Sequence, residues 1–477
     1  MNAFYASEWQ DCPEGGVRDV CSPWSGEAIE TVPVCHPGTV DKAIVALKQG
    51  VRGLSEISNE GLGKVFLKAA EMLKESSHDM ATLITREQGK PISESLQEVA
   101  VTINLMESFG HESYRLGRQF LSLAVEARVG ERFGFTRRRP MGITALLTPN
   151  TFPLLTVAKL VLPSLAAGNG VVIKPASQTP FSALGLVESL LESGLPPGTI
   201  ACLTGPGEIT GQAVCRHPLV DHVSCYGGME SIRAIRSVIG LIPLRFHHGG
   251  MSVCVVLDDA DLDRAVRSII EQGFENSGQT AISAGAVFAT ERIYDSLIER
   301  LGAAIRNLPC GNPETPGTRI GPLTEPVRAQ RATGIVGELM ERGARKIVGS
   351  GMSEGNLFEP VLLADVDPMD PSFYPQSRSR ELLSPIMGIT RLTGDPMQIG
   401  EWLEPRTQIA VTIFSNDLDR ATQLAAALPV YNVHINGLPT WRDGLLFNSQ
   451  AGLRLGRRKS EQRVNDVTSL QDIVFHP

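Results

Sequence analysis

Apolar positions recur along this chain with two different periods, and the two kinds of segment alternate. Leu62, Val65, Phe66, Ala69 and Leu73 return every three or four residues, which predicts an amphipathic helix over Gly61 to Ser76. Gly170-Val-Val-Ile-Lys174 is instead a short unbroken apolar run after Gly168-Asn169, the pattern of a buried strand. Thr179-Pro180 then predicts a helix start, with Thr179 as N-cap and Pro180 in the first turn. That helix ends at Gly194, and Pro196-Pro197-Gly198 stops it. Ile200 to Leu203 is the next short strand. Strand, helix and strand in this order form the building block of a parallel sheet, so the predicted fold class is α/β. Val253 to Leu257 repeats the buried-strand pattern, and Asp258-Asp259-Ala260-Asp261 opens another helix. The glycine pair Gly249-Gly250 separates two α/β halves.

The longest apolar-looking stretch, Phe152 to Ile173, carries Lys159 and Pro163 and reads as helix, turn and strand rather than a membrane span. At 477 residues the chain is too long for one simple core and is expected to form two or three domains. A net charge of −8 and a pI near 5.7 give no electrostatic reason to expect nucleic acid or an anionic membrane as partner. The N-terminus has neither a basic nor an apolar region of the signal-peptide kind. Eight cysteines without a CxxC pair fit reduced thiols in a cytoplasmic protein, and the cysteines and histidines lack zinc-ligand spacing.

Glycine-rich turns follow two of the strands: Thr204-Gly-Pro-Gly207, and Ser224-Cys-Tyr-Gly227-Gly228. Such turns let backbone N–H groups approach a phosphate, although many are only tight connections. The strict G-x-G-x-x-G fingerprint of an ordinary Rossmann dehydrogenase is absent.

Asn276-Ser-Gly-Gln-Thr-Ala281 resembles the signature N-x-G-Q-x-C of the aldehyde dehydrogenase superfamily, with Ala281 in the cysteine position. Leu165 to Ala176 with Gln178-Thr-Pro180, Gly194 to Gly198, His217 to Asp221, Asp258 to Asp263, Gly321-Pro322 and Glu381 to Pro385 resemble further family segments. Ile435 to Asp443 is similar to the branch that takes small polar or phosphorylated aldehydes. The resemblance implies two Rossmann-like parallel-sheet domains plus a small β oligomerisation arm. The expected division is a nucleotide-binding domain over 1–114 and 140–248, a catalytic domain over 249–444, and an arm over 115–139 and 445–477. It further implies a homodimer or homotetramer, with Val467 to Phe475 pairing onto the stretch Arg115 to Arg139. The implied ligands are a small-molecule aldehyde and NADP or NAD, held by Thr148, Lys174, Ser177, Gly207, Gly227, Gly228, His248 and Glu381.

The chemistry of the family needs a thiolate, an oxyanion donor and a base. This chain departs at all three positions: Ala281 replaces the cysteine, Thr151 takes the oxyanion asparagine position, and His247 replaces the glutamate. The cofactor loop departs as well, reading Gly227-Gly-Met-Glu-Ser-Ile232. Family members that prefer NAD often carry a glutamate three residues after the strand lysine. Ser177 stands there, removes the repulsion of a 2′-phosphate and implies that NADP binds at least as well as NAD. Three functions stay open: oxidation of a small polar aldehyde to an acid on a cysteine-bearing parent; a non-catalytic or regulatory homologue; and His-based chemistry on the same fold. The chain as written has no nucleophile for the covalent route. Cys225, in the cofactor-loop strand, reads as a buried inert thiol.

Overall fold

The computed structural model describes residues 1–112, 119–121, 133–247, 251–280, 282–370, 382–403, 408–430, 432–437 and 467–475. Two seven-stranded sheets carry the architecture. Across the first sheet the strands run Leu244–His247, His222–Tyr226, Ile143–Leu147, Gly170–Lys174, Ile200–Cys202, Ala3–Tyr5 and Glu8–Gln10. The first five are mutually parallel, and the N-terminal hairpin adds the last two antiparallel. Chain order reverses direction at Ile143–Leu147: the next strands are laid to one side, then His222–Tyr226 and Leu244–His247 to the other. In a parallel sheet of this kind, ligands bind beyond the C-terminal strand ends near such a reversal.

The second sheet runs Arg345–Val348, Val361–Ala364, Ile386–Leu392, Ala286–Thr290, Met251–Val256, Gln408–Phe414 and Val433–Ile435, parallel except for its first strand. The strands Gly170–Lys174, Met251–Val256 and Ala286–Thr290 are buried at every residue. Burial on both faces is why these strands read as unbroken apolar runs. A separate ribbon pairs Thr468–Phe475 with Phe133–Pro140 over eight residues, and Gln119–Leu121 extends it. The expected partnership of the C-terminal strand with the 115–139 stretch is therefore present.

The helix expected over Gly61 to Ser76 spans Asn59–Glu75, starting earlier because Ser58 accepts a hydrogen bond from Gly61 N–H. One local expectation is corrected. The helix after Lys174 spans Phe181–Glu192 with Pro180 at its N-cap, and Thr179 makes no capping bond. Its cap comes from Glu87, whose carboxylate accepts from the N–H groups of Phe181 and Ser182 and from the Ser182 hydroxyl. The two oxygens of one carboxyl group satisfy two orphan donors at once, where a threonine hydroxyl would serve one. The expected boundary at Gly249-Gly250 lies outside the described residues, as do the segments 115–118, 122–132 and 445–466 of the expected arm.

Candidate functional site

The loops leaving the C-terminal ends of the five parallel strands of the first sheet bring most of the implied nucleotide residues to one edge. Thr148 follows Ile143–Leu147, and its N–H donates to the Lys174 carbonyl at 3.3 Å. Lys174 is the last residue of its own strand and only 6% exposed. Burial pushes its ammonium pKa down to about 8, while the Glu208 carboxylate works in the opposite direction. Lys174 Nζ donates to Ser177 Oγ at 3.3 Å, and the Ser177 hydroxyl donates to the Gly205 carbonyl at 2.9 Å. The serine proton is thus committed to the protein. Ser177 holds the lysine ammonium, and position 177 itself carries no carboxylate.

Backbone space around the glycine turns fits a bound pyrophosphate. A Cβ on Gly207 or Gly228 would meet nothing within 4 Å, so both α-carbons border open space. Gly205 differs: its φ is +135°, and a Cβ there would lie 2.2 Å from Thr210 Oγ1. Only glycine adopts that turn without strain. Residues Gly207–Gly211 form one turn of π-helix, a feature frequent at functional sites. Gly227 N–H donates to the His247 carbonyl at 3.1 Å, which ties the second glycine turn to the neighbouring strand. A groove of about 580 Å³ lies between residues 208–217 and the start of the helix Pro37–Glu56; Asp41, Glu208, Arg216 and His217 give it charge of both signs.

His247 ends the strand Leu244–His247 and is buried. Its ring stacks on Tyr226, with centroids 4.2 Å apart and planes 10° from parallel. The stack fixes the imidazole plane. Thr151 is half-buried, and its carbonyl accepts from Thr156 Oγ1 at 3.0 Å. The next residue, Phe152, takes a left-handed φ of +50° to enter the helix Pro153–Ala166. Asn150 is buried, and its side-chain oxygen accepts from Arg328 at 3.4 Å. Cys225 is fully enclosed, and burial pushes its thiol pKa up to about 12, which makes it a poor nucleophile. Ala281, His248 and Glu381 lie outside the described residues.

The signature segment before position 281 is held by contacts of its own. Asn276, Ser277 and Gly278 take φ values of +50°, +55° and +72° in succession. A Cβ on Gly278 would lie 2.3 Å from the Ser384 carbonyl oxygen. Gln279 accepts from Thr324 N–H at 3.0 Å and donates to the carbonyls of Asn276 and Pro322. Ser277 Oγ bonds both the carbonyl and the N–H of Gly321 at 3.0 Å. Glu94 accepts from Asn276 N–H at 2.6 Å. Ser277, Gly278 and Gln279 therefore each have an architectural task that does not involve a thiol. The same holds for the His217–Asp221 segment: Asp221 accepts from Ile143 N–H at 2.9 Å and anchors the first parallel strand.

Sequence reasoning missed the groups that position these loops. Glu87, Glu94 and Glu98 are all buried, and each caps a segment of the site edge. Glu98 accepts from the N–H groups of Leu154 and Leu155 at 3.0 and 3.1 Å and pairs with Lys90 at 2.5 Å. Lys90 Nζ also lies 4.0 Å from the centre of the Phe152 ring. A signal was present: Glu94, Ser95, Glu98 and Thr102 fall at helical spacing around the apolar Val99 and are as buried as it is. A polar stripe on the inner face of a helix calls for distant partners. Among the described residues no group of three possible ligands could hold a metal ion, and no helix is long and apolar enough to cross a membrane.

Comparison with known proteins gives a consistent result. The model of the aldehyde dehydrogenase family matches residues 9–473. Glutarate-semialdehyde dehydrogenase of Pseudomonas putida is 29% identical over 479 residues, covering 99% of this chain and 97% of the relative. Succinate-semialdehyde dehydrogenase [NADP(+)] of Escherichia coli is 28% identical over 481 residues, with 99% and 97% covered. Among solved structures, NADP-dependent glyceraldehyde-3-phosphate dehydrogenase of Bacillus halodurans, complexed with NADP, superposes with a TM-score of 0.92 at 26% identity and covers 100% of this chain and 99% of its own.

Proposed function

This chain belongs to the aldehyde dehydrogenase family, and from that premise we propose that it binds NADP or NAD and a small polar aldehyde without performing the covalent oxidation. The observation that carries the nucleotide half is the Lys174–Ser177–Gly205 chain of hydrogen bonds at the edge of the first sheet. Lys174 and the uncrowded backbone at Gly207 and Gly228 would hold the phosphates. The cofactor, when bound, supplies a hydride acceptor. Names of the relatives support an aldehyde that also carries an anionic group: a carboxylate in the semialdehydes, a phosphate in glyceraldehyde 3-phosphate.

The catalytic half rests on Ala281, which offers no electron pair to a carbonyl. Thr151 can still donate one hydroxyl hydrogen bond to an aldehyde oxygen. The buried, stacked ring of His247 supports a role in shaping the glycine turn rather than in activating water. The architectural tasks of Gly278 and Gln279 support a signature frame that persists without its nucleophile. Nucleotide binding together with an absence of cofactor reduction is the expected result with a panel of small anionic aldehydes. Calorimetric titration and absorbance of reduced nucleotide measure the two halves separately. Steady turnover with a trapped thioester on Cys225 or any other cysteine overturns the catalytic half; absence of binding by both nucleotides overturns the other.

A further inference from the structure

Cys12 and Cys35 are 23 residues apart in sequence, yet their sulfurs lie 2.6 Å from each other in the buried layer beneath the first sheet's glycine loop. The two thiols are free, and their sulfurs face each other in direct contact, the juxtaposition a disulfide requires. We propose that Cys12 and Cys35 are a reversible dithiol–disulfide site, oxidised by hydrogen peroxide, and that closing the bond stiffens the loop Thr204–Gly211.

The two cysteines have unequal roles. Cys12 is 3% exposed and is flanked by the exposed residues Asp11 and Pro13, so it lies one layer beneath the surface. Cys35 is fully enclosed. Either sulfur can donate in this contact; the contact and Thr39 favour the Cys12 thiolate, while the same contact and burial disfavour that of Cys35. Cys12 is therefore the thiolate that attacks. Its sulfur displaces hydroxide from hydrogen peroxide and becomes a sulfenic acid; the hydroxide takes the proton Cys12 gave up, forming water. The Cys35 sulfur then attacks the sulfenic sulfur and releases a second water, leaving the disulfide. One peroxide is reduced to two waters, and two thiols lose two hydrogens.

Coupling to the loop is direct. Cys35 N–H donates to the Thr204 carbonyl at 3.0 Å, and Thr210 Oγ1 donates to the Cys35 carbonyl at 2.7 Å. Thr204 Oγ1 donates to the Pro33 carbonyl at 2.5 Å. Both ends of the loop thus hang on Pro33 and Cys35. A bond from Cys35 to Cys12 ties that anchor to the segment before the hairpin of Val17–Cys21 and Ala28–Pro33. Neither the bond nor its mechanical effect requires a bound nucleotide.

The test treats the full chain with a small excess of hydrogen peroxide, maps the peptides by mass spectrometry without reduction, and follows amide hydrogen exchange. A Cys12–Cys35 linked peptide lighter by two hydrogens, reversed by dithiothreitol, is expected, with exchange at Thr204–Gly211 slowed by roughly tenfold or more. Cys12→Ser should abolish both changes, and Cys35→Ser should leave a sulfenic acid on Cys12 that a dimedone probe captures. Failure of the linkage to form, or a bond to the exposed Cys21 or Cys310 instead, overturns the proposal. Formation of the bond with unchanged exchange in the loop overturns its coupling to the nucleotide edge.

Discussion

Lys174 Nζ stands 3.3 Å from Ser177 Oγ, and the serine in turn gives its proton to the Gly205 carbonyl at 2.9 Å. A strand end, the start of the following loop and the glycine loop of the next strand are joined by this one relay. It holds the Lys174 ammonium in place, with no carboxylate at position 177.

Replacing Ser177 by glutamate should therefore reverse the nucleotide preference. A like-charge clash at a partly exposed position costs on the order of 1–2 kcal/mol, or roughly tenfold in affinity. NADP affinity of Ser177→Glu should fall by about that factor while NAD affinity holds or improves. Calorimetric titration of both proteins with both nucleotides checks this. An unchanged NADP to NAD ratio would show that position 177 does not face the 2′-phosphate.

Lys174 also predicts a pH dependence. Its pKa is lowered from 10.5 to about 8, so the ammonium charge is present at pH 7 and is lost as pH rises through about 8. A bound phosphate raises the pKa again, so binding takes up a proton above pH 8. Any NADP advantage should shrink between pH 7 and 9. Titrations in buffers of different ionisation enthalpy measure the proton uptake directly. Lys174→Met should lose both the advantage and its pH dependence.

Glu94 and Glu87 predict a pH dependence of stability of a definite sign. Burial raises Glu94 to about 8 and Glu87 to about 7, and the Glu275 charge adds to the effect on Glu94. The folded state then binds more protons than the unfolded chain between the ordinary value of 4.5 and these raised values. Stability contributed by the protonated forms is present at pH 4.5 and below, and is lost as pH rises to about 8. Glu94→Gln keeps an oxygen acceptor for Asn276 N–H but cannot ionise. It should flatten the loss of stability between pH 5 and 8 by more than about 1 kcal/mol, roughly 2 °C or more in Tm. Thermal unfolding followed at several pH values decides the matter, and an identical slope in both proteins would contradict it.

Lys90→Met should be far more damaging than its size change implies. It strands the Glu98 carboxylate, fully buried, while Glu98 still holds the N–H groups of Leu154 and Leu155. Removing one partner of a buried ion pair typically costs about 3–5 kcal/mol. The double variant Lys90→Met, Glu98→Gln should recover much of that loss, because the amide oxygen still accepts at the helix N-terminus. Chemical denaturation of the three variants tests the recovery; additive losses would rule out the coupling.

Alternating periods along the chain placed Gly170–Lys174, Ile200–Cys202, Met251–Val256 and the helix Asn59–Glu75 within a few residues of their structural limits. Those elements were legible because backbone geometry writes its period into neighbouring residues, and burial on both faces removes polar side chains from a strand. Lys174 and the glycine turns were legible for the same reason, since a strand end and its turn are local. The identity of the helix caps was not. Thr179 is the local candidate, yet Glu87, 94 residues before Phe181, takes the position. The tasks of Gln279 against Thr324, and of Glu94 against Asn276, span 45 and 182 residues. Nor does spacing announce that Cys12 reaches Cys35. A buried polar or charged group must find partners wherever the fold brings them, and that choice is made by the packing of layers rather than by neighbours in the chain.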